Sequence, residues 1–234
     1  MLELDKVNTY YGEYHAVRDV SLKIDAGGFF MIVGPNGHGK STLLKTICGL
    51  LPTASGRVLF QGEDITYWST DRIVNAGLVY VAEARHLFND MTVLQNLQLG
   101  AFNAGARKNM HENLAYVYKL FPRLKDMSNR IVATLSGGEA RMLTIGRGIM
   151  SSAKLLAIDE PSFGLAPNVR NDVFQKIENI REDGTTVLLV EQNVRQVLDF
   201  ADRICLMEDG QIVFEGDKQA ALLDEHVNQV FLGE

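Results

Sequence analysis

Residues 34–42 read Gly34-Pro35-Asn36-Gly37-His38-Gly39-Lys40-Ser41-Thr42, and they join an apolar run at 29–33 to a segment with helical periodicity at 40–50. The stretch matches the pattern G-x-x-x-x-G-K-S/T, in which successive backbone N–H groups wrap an anion. Its glycines permit a sharp turn without side chains, and the following helix directs its N-terminal N–H groups at the same anion. We therefore expect these nine residues to bind the phosphates of a nucleotide, with Lys40 on the β- and γ-phosphates and Ser41 on a magnesium ion. The alternative is an ordinary strand-to-helix turn that is rich in glycine.

The composition is that of a folded domain. The chain has 234 residues, of which 46% are hydrophobic and 22% charged, which suffices for one large or two small domains. The longest apolar runs, 29–33 and 187–190, are far shorter than the ~20 residues of a membrane-spanning helix. The first residues lack a basic region followed by an apolar one, so we expect a chain that is neither secreted nor inserted into a membrane. A net charge of −6 without a basic block indicates that nucleic acid is not a partner.

Strand and helix patterns alternate along most of the chain. The strand patterns lie at 2–7, 16–24, 57–61, 78–81, 155–158, 185–190, 203–207 and 211–214, with a turn at 10–13. The helical patterns lie at 40–50, 168–182, 194–200 and 218–232, and they also fill the stretch 92–150. This alternation implies βαβ units on a largely parallel sheet, interrupted by a helical insertion. We expect one α/β domain with a core lobe at 1–88 and 151–234 and a helical lobe at 89–150.

Two further stretches contain candidate catalytic and anion-binding residues. The apolar strand 155–158 ends in Asp159 and Glu160, and in enzymes with a phosphate loop such an aspartate holds magnesium while the next carboxylate orients water. Upstream, Leu135-Ser136-Gly137-Gly138-Glu139 offers a hydroxyl and exposed backbone N–H groups at the start of a helix, which is an anion-binding arrangement. The alternative for this second stretch is a plain helix cap by Ser136.

The phosphate loop, the Leu-Ser-Gly-Gly-Glu stretch and Leu155-Leu156-Ala157-Ile158-Asp159-Glu160-Pro161, in this order, resemble the ATP-binding subunit of an ABC transporter over essentially the whole chain. The resemblance implies the fold of a P-loop NTPase, with a RecA-like core, a small antiparallel β part and an inserted helical subdomain. It also implies that Tyr11 stacks on adenine, that Ser41 and Asp159 share Mg²⁺, and that Glu160 positions the attacking water. Residues 136–139 would reach the γ-phosphate of ATP bound by a second copy, so that two sites form only in a head-to-tail dimer. The alternative for Tyr11 is a turn aromatic that packs on the small sheet.

Two departures from the general family pattern narrow the resemblance. Glu83 stands where the general family has Gln, and Gln192 stands where it has His. Both features resemble the branched-chain amino acid uptake group, in particular the smaller of its two ATPase subunits, although relatives that import urea or short amides share them. A neutral Gln192 can donate one hydrogen bond to the γ-phosphate but cannot supply a charge. The resemblance thus gives the catalytic set Lys40, Glu83, Glu160 and Gln192.

The function implied by the resemblance is ATP hydrolysis coupled to the import of an amino acid or similar small solute. The partners would be separate membrane-spanning permease subunits, a second ATPase subunit and, indirectly, an extracytoplasmic solute-binding protein. The chain would then lie in the cytoplasm on the inner face of the membrane. The alternatives are a soluble ABC protein that acts on nucleic acid, and a GTPase or small-molecule kinase that shares only the phosphate loop.

Overall fold

Two β-sheets organise the chain in the computed structural model, which describes residues 1–192 and 198–231. The larger sheet has the strand order β10-β9-β3-β8-β7-β6, with β3 at Phe29–Val33, β6 at Leu78–Val81, β7 at Leu155–Asp159, β8 at Thr186–Glu191, β9 at Arg203–Glu208 and β10 at Gln211–Gly216. All neighbouring strands in it are parallel except β10, which is antiparallel to β9. The prediction of a largely parallel sheet is therefore confirmed.

The carboxyl ends of the parallel strands meet at one edge of this sheet. Val33 at the end of β3 lies opposite Glu191 on β8, and Asp159 at the end of β7 lies opposite Val190. On the outer side, Val81 at the end of β6 lies opposite Ile158. The segments that follow β3, β6, β7 and β8 therefore leave the sheet side by side, and these segments carry most of the candidate residues.

The smaller sheet is antiparallel and has the order β2-β1-β4-β5, with β1 at Leu2–Tyr11, β2 at Tyr14–Ile24, β4 at Ser55–Phe60 and β5 at Glu63–Asp64. The expected turn at 10–13 is wrong in its extent. Tyr11 pairs with Tyr14 across the hairpin, so that Tyr10 and Tyr11 belong to β1 and the turn consists of Gly12 and Glu13 alone. Tyr11 therefore stands at the end of a strand instead of within a loop.

The helices are α1 at Lys40–Ile47, α2 at Thr70–Ala76, α3 at Val93–Gly100, α4 at Ala104–Lys108, α5 at Met110–Leu120, α6 at Pro122–Asp126, α7 at Gly137–Ile149, α8 at Pro167–Glu182, α9 at Lys218–Leu223 and α10 at Glu225–Phe231. The helical character predicted for 92–150 is confirmed by α3 to α7. The single C-terminal helix expected at 218–232 is wrong, because Asp224 is extended and its carboxylate accepts a hydrogen bond from Val227 N–H at the start of α10. The helix expected at 194–200 falls mostly outside the described residues.

Helix α1 is buried between the two sheets. Leu43, Leu44 and Ile47 of α1 share one apolar cluster with Phe30 and Ile32 of β3 and with side chains of the smaller sheet. The alternate residues of β3 point to the opposite face, where a second cluster includes side chains from α3, α7 and α8. Burial on both faces holds β3 and α1 in place, and with them the loop that connects the two elements.

Candidate nucleotide-binding site

The loop 34–39 has a backbone path that only glycine accommodates at critical positions. Gly39 has a φ of +100°, and a Cβ there would lie 2.5 Å from the carbonyl oxygen of Ala16. His38 fixes the loop from outside, because its Nδ1 accepts a hydrogen bond from Asp209 N–H at 3.0 Å and its carbonyl accepts one from Gly210 N–H. The loop is thus held against β2 and against the turn between β9 and β10, which preorganises its N–H groups.

Lys40 is only 4% exposed and folds back into the loop. Its Nζ donates hydrogen bonds to the carbonyl oxygens of Gly34 at 2.7 Å and Pro35 at 2.9 Å, and lies 3.9 Å from Glu160 Oε1. Burial lowers the pKa of Lys40, while the charges of Glu160, Asp159 and Glu191 oppose this effect. The loop therefore encloses a cation beside a cluster of carboxylates, which is the charge pattern that a polyphosphate with a divalent ion would complete.

Asp159 is 1% exposed at the end of β7, and both of its carboxylate oxygens accept hydrogen bonds. Ser41 Oγ donates to Oδ1 at 2.8 Å, and the hydroxyl of Tyr80 donates to Oδ2 at 2.7 Å. Sequence reasoning named Ser41 and Asp159 but missed Tyr80. Tyr80 lies on the neighbouring strand β6, and only the strand order brings it to Asp159.

The donor set at Ser41 and Asp159 fits Mg²⁺. A hydroxyl and a carboxylate are hard oxygen ligands, and Mg²⁺ in such sites takes one or two protein oxygens and completes its shell with phosphates and water. Nowhere in 1–192 and 198–231 do three or more His, Cys, Asp or Glu side chains form a group that could hold a metal ion alone. A magnesium ion would therefore depend on the nucleotide as well as on these two side chains.

Glu160 follows Asp159 in an unusual backbone conformation. Its φ is +40°, which is uncommon for a residue other than glycine, and its N–H donates to the carbonyl of Val190 at 2.9 Å. Burial raises the pKa of Glu160; Lys40 opposes the shift, and the neighbouring carboxylates Glu191, Glu83 and Asp159 reinforce it. Backbone strain and a raised carboxyl pKa coincide at the residue expected to orient water.

Gln192 lies beside the phosphate loop, where its Oε1 accepts a hydrogen bond from Asn36 Nδ2 at 3.1 Å. The preceding residue, Glu191, is buried, and its carboxylate accepts from Ser162 N–H at 2.9 Å and from Gln192 N–H at 3.2 Å. Sequence reasoning missed Glu191; the available signal was an acid at the end of the apolar strand β8. The alternative role for Gln192 is to cap a helix that begins near 193, but residues 193–197 are not among those that the structure describes.

Glu83 lies in the segment after β6, and two arginines of α7 hold that segment. Arg141 donates to the carbonyls of Ala82 at 3.1 Å and Glu83 at 3.0 Å, and Arg147 donates to those of His86 at 2.8 Å and Arg85 at 3.2 Å. Glu83 also lines a cleft of about 740 Å³ together with Ser41, Tyr80 and Asp159. The helix that begins at the Ser-Gly-Gly-Glu stretch thus contacts the segment of Glu83 directly, a link that the sequence did not reveal.

Residues 136–139 form a capping box at the start of α7. Ser136 Oγ accepts from Glu139 N–H at 3.4 Å, and the Glu139 carboxylate accepts from Ser136 N–H at 2.8 Å, which is the main reason why the pKa of Glu139 is lowered. The helix-cap alternative for Ser136 is therefore realised. In the described part of the chain, no hydrogen bond joins 136–139 to the loop 34–42, and Ser136 and Gly137 are exposed.

Tyr11 keeps 47% of its surface exposed at the end of β1. Its neighbour Tyr10 stacks on His15, with ring centroids 4.1 Å apart and an interplanar angle of 11°. Tyr11 forms no ring contact of this kind with any described residue. Of the two tyrosines, Tyr11 is the one without a stacking partner among the described residues.

The loop at the end of β3, together with the Asp-Glu pair at the end of β7, defines a nucleoside triphosphatase of the phosphate-loop class. The family model for ABC transporters matches residues 17–163, and the chain belongs to this family. It is an ATP-binding cassette, an ATPase that takes ATP and Mg²⁺.

Relatives and solved structures agree with this assignment. A high-affinity branched-chain amino acid transport ATP-binding protein, BraG of Pseudomonas aeruginosa, is 42% identical over the full length of both chains. The solved ADP conformation of an ATP-binding cassette of an ABC transporter has a TM-score of 0.86 at 30% identity and covers 100% of this chain and 99% of that one. A dimeric cassette in a post-hydrolysis state, bound to ADP and phosphate, has a TM-score of 0.80 at 26% identity and covers 93% and 99%.

The helices of the described residues include none whose length and apolar character would let it cross a membrane.

Proposed function

We propose that this chain is the ATP-hydrolysing subunit of an importer for branched-chain or related amino acids, and that it works through separate membrane-spanning subunits. The observation that carries the proposal is the 42% identity with the P. aeruginosa transport protein along the whole of both chains. Glu83 and Gln192, which depart from the general family pattern, are further support.

In the proposed reaction, the loop 34–42 binds the phosphates and Lys40 neutralises charge on the β- and γ-phosphates. A magnesium ion bound to ATP would supply further charge neutralisation there, and Ser41 and Asp159 would hold it. Glu160 accepts a hydrogen bond from the attacking water and orients it, while Glu83 and Gln192 flank the γ-phosphate. The position of these side chains at one sheet edge, with Lys40 3.9 Å from Glu160, supports this assignment.

We further propose that Tyr11 stacks on adenine, since the residue is 47% exposed and its ring has no stacking partner among the described residues. Residues 136–139 then serve ATP bound by a second ATPase subunit, identical or homologous, in a head-to-tail pair. Their exposure, and the absence of hydrogen bonds from them to the phosphate loop among the described residues, support this division of labour. The proposed lobes are 1–88 with 151–234 and 89–150.

The cleft beside Glu83 is the proposed contact with the permease. Its lining includes four large apolar side chains that are each between 43% and 50% exposed, namely Leu50, Phe88, Leu99 and Phe102. Exposed apolar groups around a concave surface are typical of a protein interface. Docking there would hold the chain on the cytoplasmic face of the membrane, and a solute-binding protein would act from the other side.

Other solutes and other classes of function are less well supported. Urea and short amides remain alternatives for the solute, because relatives with those substrates share Glu83 and Gln192. A net charge of −6 disfavours action on nucleic acid. The family assignment disfavours a GTPase or small-molecule kinase.

The test is solute uptake by cells that lack the chain and are complemented with variants of it. Wild type should restore ATP-dependent leucine uptake and should copurify with integral membrane proteins. Phe102→Glu should abolish both, because it places a charge in the lining of the cleft. The control is Val213→Glu, since Val213 is 48% exposed on β10 outside the cleft. Restored uptake of urea but not leucine would contradict the proposed solute, and equal effects of both variants would contradict the docking site.

A further inference from the structure

Tyr80 occupies a position that the catalytic scheme does not explain. Its hydroxyl donates a 2.7 Å hydrogen bond to Asp159 Oδ2, while the other oxygen, Oδ1, accepts from Ser41. Asp159 is 1% exposed, so water cannot readily replace either donor. The two hydroxyls together therefore fix the rotation of the carboxylate plane.

The strand register makes this contact specific. Tyr80 pairs with Ala157 between β6 and β7, and its side chain reaches along the sheet to Asp159, two residues beyond. The Tyr80 hydroxyl is the donor in this hydrogen bond, and the Asp159 carboxylate accepts it. A phenylalanine would preserve the ring and its packing but would leave Oδ2 of a buried carboxylate unpaired.

We infer that Tyr80 is a positioning residue for magnesium: it holds Asp159 Oδ2, so that Oδ1 stays beside Ser41, where these two side chains would hold the metal. This inference rests on the proposed role of Asp159 as a magnesium ligand. Hydrogen bonds to a ligating carboxylate tune metal affinity, and their loss commonly lowers it about tenfold or more. The hydroxyl of Tyr80 donates to Asp159, and no hydrogen bond of the described residues joins it to the phosphate loop, so removal of the hydroxyl alone should leave phosphate binding unchanged.

The test is equilibrium binding of a fluorescent methylanthraniloyl-ATP to the full-length chain, first in EDTA and then during a Mg²⁺ titration. In Tyr80→Phe, the affinity for the fluorescent nucleotide in EDTA should equal that of wild type. The Mg²⁺ concentration that produces half of the Mg²⁺-dependent change in fluorescence should rise about tenfold. Saturating Mg²⁺ should return turnover to within about twofold of wild type, because the defect lies in metal binding and not in the chemical step.

The matched control is Tyr116→Phe, since the Tyr116 hydroxyl makes a hydrogen bond of the same 2.7 Å length to Asp183, away from the site. It should leave the Mg²⁺ dependence unchanged. An unshifted titration in Tyr80→Phe, an equal shift in Tyr116→Phe, or a loss of binding in EDTA would each overturn the inference. Asp159→Asn distinguishes the role of Tyr80 from the role of Asp159. If Asp159→Asn shifts the Mg²⁺ titration and Tyr80→Phe does not, only the inference about Tyr80 fails. If Asp159→Asn does not shift the titration, the proposed role of Asp159 fails as well.

Discussion

At the scale of single residues, the site is built from groups in unfavourable states. Glu160 combines a φ of +40° with a buried carboxyl whose pKa is raised. Lys40 is buried, and desolvation lowers its pKa. Strained backbone and shifted pKa values occur most often at functional sites, so their coincidence at Glu160, beside Lys40, marks this edge of the sheet as the candidate site.

Replacement of Glu160 by Gln should lower ATP hydrolysis by about a hundredfold or more, since a neutral amide cannot orient and activate water as a carboxylate does. ATP binding should persist, because the phosphate loop is unchanged. Phosphate release and fluorescent-nucleotide titration measure the two effects separately. Hydrolysis near the wild-type rate would remove Glu160 from catalysis.

The same variant should be more stable than wild type at neutral pH. A carboxyl whose pKa is raised on folding contributes stability below its unfolded pKa and loses it as pH rises through the folded value. Because burial is the main cause of the raised pKa of Glu160, the variant should have the higher Tm at pH 7, and the difference should shrink towards pH 4. Calorimetric scans at the two pH values measure this difference in Tm. A lower Tm for the variant than for wild type at pH 7 would contradict the prediction.

Tyr11→Ala should weaken ATP binding by about 1 kcal/mol or somewhat more, the usual contribution of one aromatic stack on a base. The chemical step should change little. Tyr14→Ala is the control, because Tyr14 pairs with Tyr11 in the same hairpin and is 57% exposed. If Tyr14→Ala weakens ATP binding and Tyr11→Ala does not, the stacking residue has been misassigned.

At the scale of elements, α7 is the link between distant parts of the site. It begins at the capping box of Ser136, and one turn later Arg141 reaches the carbonyls of Ala82 and Glu83. Arg141 is 1% exposed, and its Nε has no hydrogen-bond partner among the described residues. A buried, incompletely paired cation contributes little to the free energy of unfolding. The main effect of Arg141 is therefore to hold the segment of Glu83 in place.

Arg141→Met should therefore change the free energy of unfolding by only about 1 kcal/mol, because the gain in desolvation offsets the lost hydrogen bonds. Hydrogen exchange at residues 82–86 should nonetheless accelerate, since two of their carbonyls lose donors. Arg107→Met serves as the control on the exposed face of α4. Unchanged exchange at 82–86 would show that Arg141 does not order the segment.

The elements also show which parts of the molecule can be predicted from the sequence. The phosphate loop and the Asp159-Glu160 pair were predictable, because each is a contiguous stretch between a strand and the next element. The contacts of Tyr80 with Asp159 and of Arg141 with Ala82 join residues 79 and 59 positions apart, and they depend on strand order and helix placement. The break at Asp224 was missed because its carboxylate caps α10 and competes with a continuous helix.

At the scale of the whole molecule, the chain has two candidate surfaces that no hydrogen bond of the described residues joins. The sheet edge carries Lys40, Asp159 and Glu160, whereas Ser136 and Gly137 are exposed at the start of α7. We propose that one ATP site uses both surfaces, one from each of two chains, so that ATP hydrolysis belongs to a pair of chains.

The most direct test mixes two inactive variants, Lys40→Ala and Ser136→Arg, each purified as the full-length chain. In a head-to-tail pair of one variant with the other, one site contains both defects and the opposite site is intact. ATPase activity should therefore appear on mixing, although each variant alone is inactive. A chain that carries both substitutions is the control: it should restore no activity to either single variant, because every site in such a pair contains at least one defect. Activity that stays absent in the mixture, or wild-type activity of either variant as a dilute monomer, would contradict the shared site.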